Sequence, residues 1–142
     1  MKIMFYLFKF KKEKFENKST LRPKIKVLLS YKDKAKEVIA ILDTGSDLNY
    51  IPADFADYFK LPLSEEIFKA QGAEHEFEYK TSKIYFKLEN PHKSYRKLLE
   101  VMVPVKTTMH KDIILGTEFL KDFIVELNYN RGTIKLTETK TQ

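Results

Sequence analysis

The amino-acid sequence predicts an all-β, barrel-like domain. Apolar and polar residues alternate over short segments, as in the stretch from Lys24 to Ser30, and this period of two is typical of half-buried strands. Turn-forming residues such as Asn90 and Pro91 separate the segments. Only two stretches, 52–59 and 117–123, have the character of short helices. Many short strands with one or two short helices add up to a barrel-like fold.

The strands are predicted in order along the chain. Ile25, Val27 and Leu29 mark the inner face of the first strand. The strand from Glu37 to Leu42 becomes wholly apolar, so we expect it to be buried on both faces. Further strands are predicted at 67–70 and 75–79, which flank a hairpin tip, at 84–88, at 98–105, at 113–115, and in a closing hairpin of 124–129 with 133–136. A short helix is expected directly after Gly116.

Length and composition indicate one folded domain without a metal or other cofactor. The chain has 142 residues, of which 43% are hydrophobic, enough for one packed core. It contains no Cys, which excludes disulfides and thiolate metal sites. His75, His92 and His110 lie far apart without metal-ligand spacing, so no metal site is expected.

The charge is basic, with a net value of +6. Almost all of the positive residues are Lys, whereas Arg, the preferred residue for bidentate phosphate contacts, occurs only at positions 22, 96 and 131. The lysines are distributed through strand-like segments. We therefore interpret them as a solvated surface and expect no dedicated nucleic-acid site.

Residues 1–23 differ from the rest and are predicted to form a basic N-terminal arm ahead of a domain at 24–142. The apolar run from Ile3 to Phe8 is too short to span a membrane, and no small-residue cleavage site of a secretion signal follows it. The basic and aromatic residues that come next are compatible with contact to membrane or nucleic acid. We favour a simpler interpretation, an arm that is partly ordered or packed on a partner subunit.

The segment that carries chemistry is Asp43-Thr44-Gly45-Ser46, which directly follows the wholly apolar strand. A carboxylate at the end of such a strand is unfavourable for stability unless it is paired, hydrogen-bonded or protonated. These residue types are also common in β-turns, so a structural turn is the alternative interpretation. A second segment, Ile114-Leu115-Gly116 followed by a short helix, lies downstream.

Together these two motifs resemble the retropepsin-like aspartic peptidases of retroviruses, retrotransposons and plant pararetroviruses. In those families two apolar residues precede Asp-Thr/Ser-Gly, as Ile41 and Leu42 do here, and a second apolar-apolar-Gly motif precedes a helix. The order and the separation of the motifs match, and the resemblance covers roughly residues 24–136. It implies a closed barrel, aspartic endopeptidase activity and a homodimer, because this chain contains a single Asp-Thr/Ser-Gly.

The resemblance also implies roles for individual residues. Asp43 is the expected catalytic residue, and Thr44, Gly45, Ile114 and Gly116 are expected to support the active-site loop. Gly45 and Asp47, together with Gly72 and Ala73 at the tip of a flap, are the expected substrate contacts. The expected substrate is an extended peptide, in a viral or retroelement polyprotein, in the cytoplasm or in a virus-like particle.

Two other functions remain as alternatives. A catalytically silent domain of this type would dimerise or bind peptides, although the retention of Asp43, Thr44 and Gly45 together favours activity. A basic nucleic-acid-binding barrel would carry aromatic residues among clustered Arg and Lys, and only the N-terminal arm resembles that pattern. The flap region holds a lone Gly72, which leaves the position of the flap open. The segment from Ile124 to Leu136 suits a hairpin, whereas retroviral members dimerise through a single terminal strand, which leaves the dimer contact open.

Overall fold

A computed structural model of the chain describes residues 5–71, 76–90, 94–106 and 111–139. Its strands are β1 (Phe5–Lys9), β2 (Lys11–Phe15), β3 (Lys18–Arg22), β4 (Lys24–Tyr31), β5 (Lys34–Leu42), β6 (Asn49–Tyr50), β7 (Phe68–Gln71), β8 (Glu76–Glu89), β9 (Ser94–Pro104), β10 (Ile113–Leu115), β11 (Phe123–Asn128) and β12 (Thr133–Glu138). The helices are α1 (Ala53–Phe59) and α2 (Thr117–Leu120). No helix in this part of the chain is long and apolar enough to cross a bilayer.

The main sheet closes on itself to form a barrel. Its strands follow the order β4, β5, β10, β6, β9 and β8, and β4 pairs with β8 as well as with β5, which completes the ring. β7 extends the sheet as a hairpin with β8. The predicted all-β closed barrel with a short helix after Gly116 is confirmed. The other predicted helix, at 52–59, is present as α1 and begins at Ala53, one residue after the predicted start at Pro52.

Alternating side chains fill the barrel. Ile25, Val27 and Leu29 of β4 point inward and are almost completely buried, as their alternation with polar residues predicts. On β5, Val38 and Ala40 point inward as well. The prediction that β5 is buried on both faces is wrong for Ile39, which is 47% exposed because no described element packs over that side of the strand.

A second, three-stranded sheet joins the two ends of the chain, in the order β1, β12, β11. β1 pairs antiparallel with β12 from Phe5 with Thr137 to Lys9 with Thr133. Tyr6 of β1 is 2% exposed and belongs to the same core cluster as Ile134 of β12. The domain boundary at residue 23 stays a prediction, but residues before it supply part of the core.

A buried polar cluster ties this second sheet to the barrel. Asp122, which is 7% exposed, precedes β11 and accepts a hydrogen bond from the Tyr95 hydroxyl of β9 at 2.9 Å. The Lys97 ammonium lies 3.0 Å from the same carboxylate, and the Thr139 backbone N–H donates to the Asp122 carbonyl at 3.0 Å. A carboxylate that is removed from water is tolerated when it is paired and hydrogen-bonded in this way.

Two buried tyrosines in this region resist ionisation. Burial, helped by the nearby Glu138 carboxylate, raises the pKa of Tyr6 to about 12 against a partial opposing effect of the Tyr95 backbone. Burial, and then the hydrogen bond to Asp122, raises the pKa of Tyr95 even further. The folded state therefore requires both phenols to be protonated, whereas unfolded tyrosines ionise near their ordinary pKa of about 10.

We predict that the free energy of unfolding is unaffected by these tyrosines below about pH 10 and falls as the pH rises toward about 12, because only the unfolded chain ionises easily there. Tyr6→Phe should lessen the alkaline loss by roughly 2 kcal/mol, since one pKa unit corresponds to about 1.4 kcal/mol and the pKa of Tyr6 rises from about 10 to about 12. At neutral pH the same change should cost little, because the contact of the Tyr6 hydroxyl with the Tyr95 backbone falls short of hydrogen-bond geometry. Urea unfolding of wild type and variant across this pH range measures both effects. Tyr129→Phe, at an exposed ring, is the control, and equal alkaline loss in Tyr6→Phe and wild type would contradict the prediction.

Candidate active site

Asp43 lies where β5 leaves the barrel. β5 runs parallel to β10, and the last matched pair is Leu42 with Leu115. The Asp43 backbone N–H donates to the Leu115 carbonyl at 3.0 Å, which continues this pairing by one residue. The Asp43 side chain is exposed. The backbone of the residue is thus held by the barrel, while its carboxylate faces outward.

The next residues form a tight turn around the carboxylate. The Gly45 backbone N–H donates to Asp43 Oδ1 at 2.9 Å, and the Ser46 N–H donates to the Asp43 carbonyl at 3.2 Å. This is the Asp-initiated turn that the structural interpretation of the motif predicts. The turn binds one carboxylate oxygen and leaves Oδ2 without a hydrogen bond from the described residues. The local turn is therefore compatible with a chemical role for Asp43.

Gly116 lies directly behind the Asp43–Leu48 loop. A Cβ atom at this position would lie 2.5 Å from the Ser46 carbonyl oxygen and 2.5 Å from that of Leu48. Real Cβ atoms do not come this close to backbone oxygens, so only Gly permits β10 and the loop to approach as they do. The resemblance implied that Gly116 supports the active-site loop, and the contact seen here is with the Ser46 and Leu48 carbonyls.

The first turn of α2 holds the same loop by hydrogen bonds. The Thr117 backbone N–H donates to the Ser46 carbonyl at 2.8 Å, and the Glu118 N–H donates to the Asp47 carbonyl at 3.2 Å. N–H groups at the start of a helix have no partner within the helix and are free for such contacts. The Ser46 hydroxyl adds a bond to the Leu48 carbonyl at 2.7 Å. These bonds fix the backbone that follows the candidate catalytic residue.

Asn49 is a positioning residue that the sequence analysis missed. Its side chain is fully buried, and its Oδ1 accepts the Gly116 backbone N–H at 3.0 Å while its Nδ2 donates to the Glu100 carbonyl at 3.2 Å. It thereby joins β6, β9 and the β10–α2 junction. A polar residue directly before the apolar pair Tyr50 and Ile51 was the available signal, because a buried amide needs partners from other strands.

The other predicted site residues are placed as follows. Thr44 and Asp47 are exposed, and the Thr44 hydroxyl has no hydrogen-bond partner among the residues described. Ile114 is half-buried and pairs with Ile41 and Tyr50. The roles assigned to these residues remain predictions.

The predicted flap is described in part. β7 and the first part of β8 form the expected hairpin, in which Phe68 pairs with Tyr79 and their rings stack at 5.5 Å between centroids. The predicted substrate contacts Gly72 and Ala73 lie outside the described residues. The flap function therefore stays a prediction.

The chemistry available at the loop is that of a carboxylate. Within residues 5–71, 76–90, 94–106 and 111–139, no group of three or more His, Asp or Glu side chains is arranged to hold a metal ion. An exposed carboxylate with one oxygen bound and the other open can accept or donate a proton. The arrangement therefore suits general acid–base catalysis.

We predict that Gly116→Ala destabilises the fold and that Gly45→Ala does not. The Gly116 change should lower the free energy of unfolding by about 3 kcal/mol, because its methyl group overlaps two backbone carbonyls. At Gly45 the nearest atom to an added Cβ is Asp43 Oδ1 at 3.3 Å, so the fold should be retained. Urea denaturation of both variants measures the difference. Equal stability of the two variants would contradict the packing argument.

Comparison with known proteins supports the fold. No protein-family model and no curated protein matches the sequence. Among solved structures, the chain is similar to a retropepsin-like aspartic protease from Rickettsia conorii, with a TM-score of 0.60 and 9% identity over 99% of this chain and 98% of that one. It also resembles EIAV protease in complex with an inhibitor, with a TM-score of 0.47 and 18% identity over 71% of this chain and 86% of that one. The first of these similarities extends over nearly the whole chain, and we conclude that the chain has the retropepsin-like fold.

Proposed function

We propose that this protein is an aspartic endopeptidase that cleaves extended peptides through a pair of Asp43 residues, one from each subunit of a homodimer. The observation that carries the proposal is the state of Asp43. Its backbone is held by the barrel, its loop is braced by Gly116 and α2, and its carboxylate is exposed with one oxygen open. A residue needed only for the turn would not require this bracing of the following backbone.

The need for a second subunit follows from the number of motifs. Catalysis of this type uses two facing carboxylates, and the full sequence contains one Asp-Thr/Ser-Gly. A two-fold axis beside Asp43 would bring two identical residues face to face. The exposed Thr44 hydroxyl, which lacks a partner in the described part of the chain, fits a contact across that axis.

The surface of the second sheet also fits self-association. Phe5 and Leu7 of β1 and Ile124 of β11 are exposed on its outer face, and β11 is an edge strand. An exposed apolar group next to an open strand edge is typical of an interaction site. α2 donates hydrogen bonds to the Ser46 and Asp47 carbonyls and is followed in the chain by β11, so a contact at this sheet would be linked to the active-site loop through α2.

The proposed mechanism uses one shared proton. Two carboxylates at close range cannot both ionise, so one Asp43 is protonated and the other is ionised. The ionised residue takes a proton from a water molecule, and the oxygen of that water attacks the carbonyl carbon of the peptide bond. The protonated residue donates its proton to the carbonyl oxygen, which gives a tetrahedral diol without a covalent enzyme intermediate. The two apparent pKa values of such a pair belong to the pair as a whole.

The substrate assignment rests on the resemblance of the motifs. We propose that the enzyme processes a viral or retroelement polyprotein, in the cytoplasm or in a virus-like particle. The silent alternative, a domain that dimerises or binds peptides without cleaving them, differs from this proposal in one measurable property, turnover.

We predict that Asp43→Asn abolishes cleavage and leaves the fold intact, because the amide is nearly isosteric but cannot serve as a general base. The matched control is Asp33→Asn, the same change at an exposed turn at the opposite end of β5. Cleavage of a mixed peptide library at mildly acid pH is measured by mass spectrometry, with and without a transition-state inhibitor of aspartic peptidases.

Turnover by Asp43→Asn comparable to wild type would remove Asp43 from the mechanism. Absence of turnover in wild type and control alike, with peptides still bound, would favour the silent alternative.

We predict that inactive chains poison active ones. In an equimolar mixture of wild type and Asp43→Asn, random pairing leaves about half of the wild-type chains in active dimers. Activity per wild-type chain should therefore fall to about half, and an excess of the variant should lower it further. Addition of Asp33→Asn should raise total activity instead. Activity that ignores added Asp43→Asn and stays proportional to concentration in a demonstrably monomeric sample would contradict the shared pair.

A further inference from the structure

β2 and β3 form a two-stranded sheet that pairs with no other described strand. Nearly all of its described side chains are exposed, on both faces. An isolated hairpin is at best marginally stable in water, so it needs an anchor. Here the anchor lies at its base, where the Phe10 backbone N–H donates to the Gly132 carbonyl at 2.7 Å and Glu13 forms an ion pair with Lys24 at 3.1 Å. We call residues 11–22 the basic hairpin.

The basic hairpin concentrates the charge of the protein. It contains five basic and two acidic residues, which amounts to half of the net charge of +6 in twelve of the 142 residues. Of these acidic residues, Glu13 is already engaged by Arg22 at 3.4 Å and by Lys24. Four exposed lysines have no carboxylate partner among the residues that the structure describes, namely Lys11, Lys12, Lys14 and Lys18. No other described stretch of this length brings together four unpaired lysines.

We propose that the basic hairpin binds the phosphate backbone of nucleic acid. Lysines without intramolecular partners release condensed counterions from a polyanion, and this gain requires no shape match. A two-stranded ribbon of this kind also has the dimensions that the major groove of a duplex admits. Because the four side chains are Lys and not Arg, we expect contacts to phosphates and binding without base-sequence specificity. The proposal revises the expectation from the sequence, in which the lysines were interpreted as a solvated surface and the basic N-terminal arm as a segment without a nucleic-acid role.

Two other kinds of partner fit the hairpin less well. Insertion into a membrane surface and tight binding to an acidic protein both need apolar or aromatic anchors beside the charges. Among the described side chains of the basic hairpin, Leu21 is the only large apolar one, 53% exposed. The sequence of the hairpin adds one aromatic residue, Phe15, but its five basic residues outnumber these two large apolar ones. A polyanion bound mainly by charge is therefore the partner that this composition favours.

The neighbouring groove is a weaker candidate for the same ligand. It has a volume of about 390 Å³ and is lined in part by Lys26 and Lys87. Lys87 forms an ion pair with Glu89 at 2.8 Å, and Lys26 lies 4.0 Å from Glu37. Glu37 and Glu89 offset two of the four lysines that line the groove, so it carries fewer unpaired lysines than the basic hairpin does. The binding surface is therefore the hairpin, with Lys11 at its boundary with the groove.

The test is fluorescence anisotropy of a labelled duplex of roughly 20 base pairs, about two helical turns, titrated with the full chain. If the four lysines each meet a phosphate, the association constant should fall about 100-fold between about 50 and 200 mM salt. The hairpin variant replaces all four with Gln, as Lys11→Gln, Lys12→Gln, Lys14→Gln and Lys18→Gln. It should bind at least about tenfold more weakly at the lower salt and show a shallower salt dependence.

The matched control changes four other exposed lysines, as Lys60→Gln, Lys83→Gln, Lys106→Gln and Lys111→Gln, and so has the same net charge as the hairpin variant. It should bind within about twofold of wild type. Equal loss in the two variants would mean a diffuse charge effect and would overturn the proposal, as would binding that does not respond to salt.

Stronger binding to vesicles of phosphatidylserine and phosphatidylcholine than to the duplex would assign the hairpin to a membrane surface and would also overturn the proposal. If circular dichroism shows that the hairpin variant is unfolded, the pair Lys12→Gln and Lys14→Gln replaces it and should give an intermediate loss. Asp43→Asn should bind nucleic acid as wild type does, so this result is independent of the proposed peptidase activity.

Discussion

The contact of Gly116 with the Ser46 and Leu48 carbonyls is the constraint on which the candidate site depends. It allows β10 to lie close behind the loop that follows β5, and α2 then starts where its first N–H groups reach the Ser46 and Asp47 carbonyls. Backbone oxygens that would otherwise be buried without partners are satisfied in this way. Any side chain at position 116 would separate the two segments and remove the bonds from α2 as well.

Asn49 makes this arrangement specific. A buried amide that binds the Gly116 N–H and the Glu100 carbonyl can be satisfied in only one register of the surrounding strands. A shift of β6 along β9 would leave both groups without partners, at a cost of about 1–3 kcal/mol for each. The barrel thus holds Asp43 in a defined position. A catalytic pair formed by two subunits requires this, because a displacement of Asp43 in each subunit would change the distance between the two carboxylates twice over.

The two ends of the chain contribute more than closure of the fold. β1 and β12 share a sheet whose inner face completes the core through Tyr6 and Leu136 and whose outer face exposes apolar residues. The basic hairpin follows β1 directly. The same N-terminal region therefore adds to the core, borders the surface that we associate with self-association, and carries the charge that we associate with nucleic acid. β1 contributes to the first two of these roles and the basic hairpin to the third, so they use different residues.

The sequence alone determined the parts of this protein that depend on local patterns. Alternating residues identified β4, the pair of motifs around Asp43 and Gly116 identified the barrel type and the candidate site, and Pro52 and Thr117 marked where helices begin. Other features were decided by contacts between residues far apart in the chain. The exposure of Ile39 depends on what covers β5, the role of Asn49 depends on strands that arrive more than fifty residues later, and the place of β1 depends on β12 at the other end. The grouping of unpaired lysines followed from which lysines the fold supplies with carboxylates. Periodicity reports which face of a segment is apolar, whereas only the packed structure decides what meets that face.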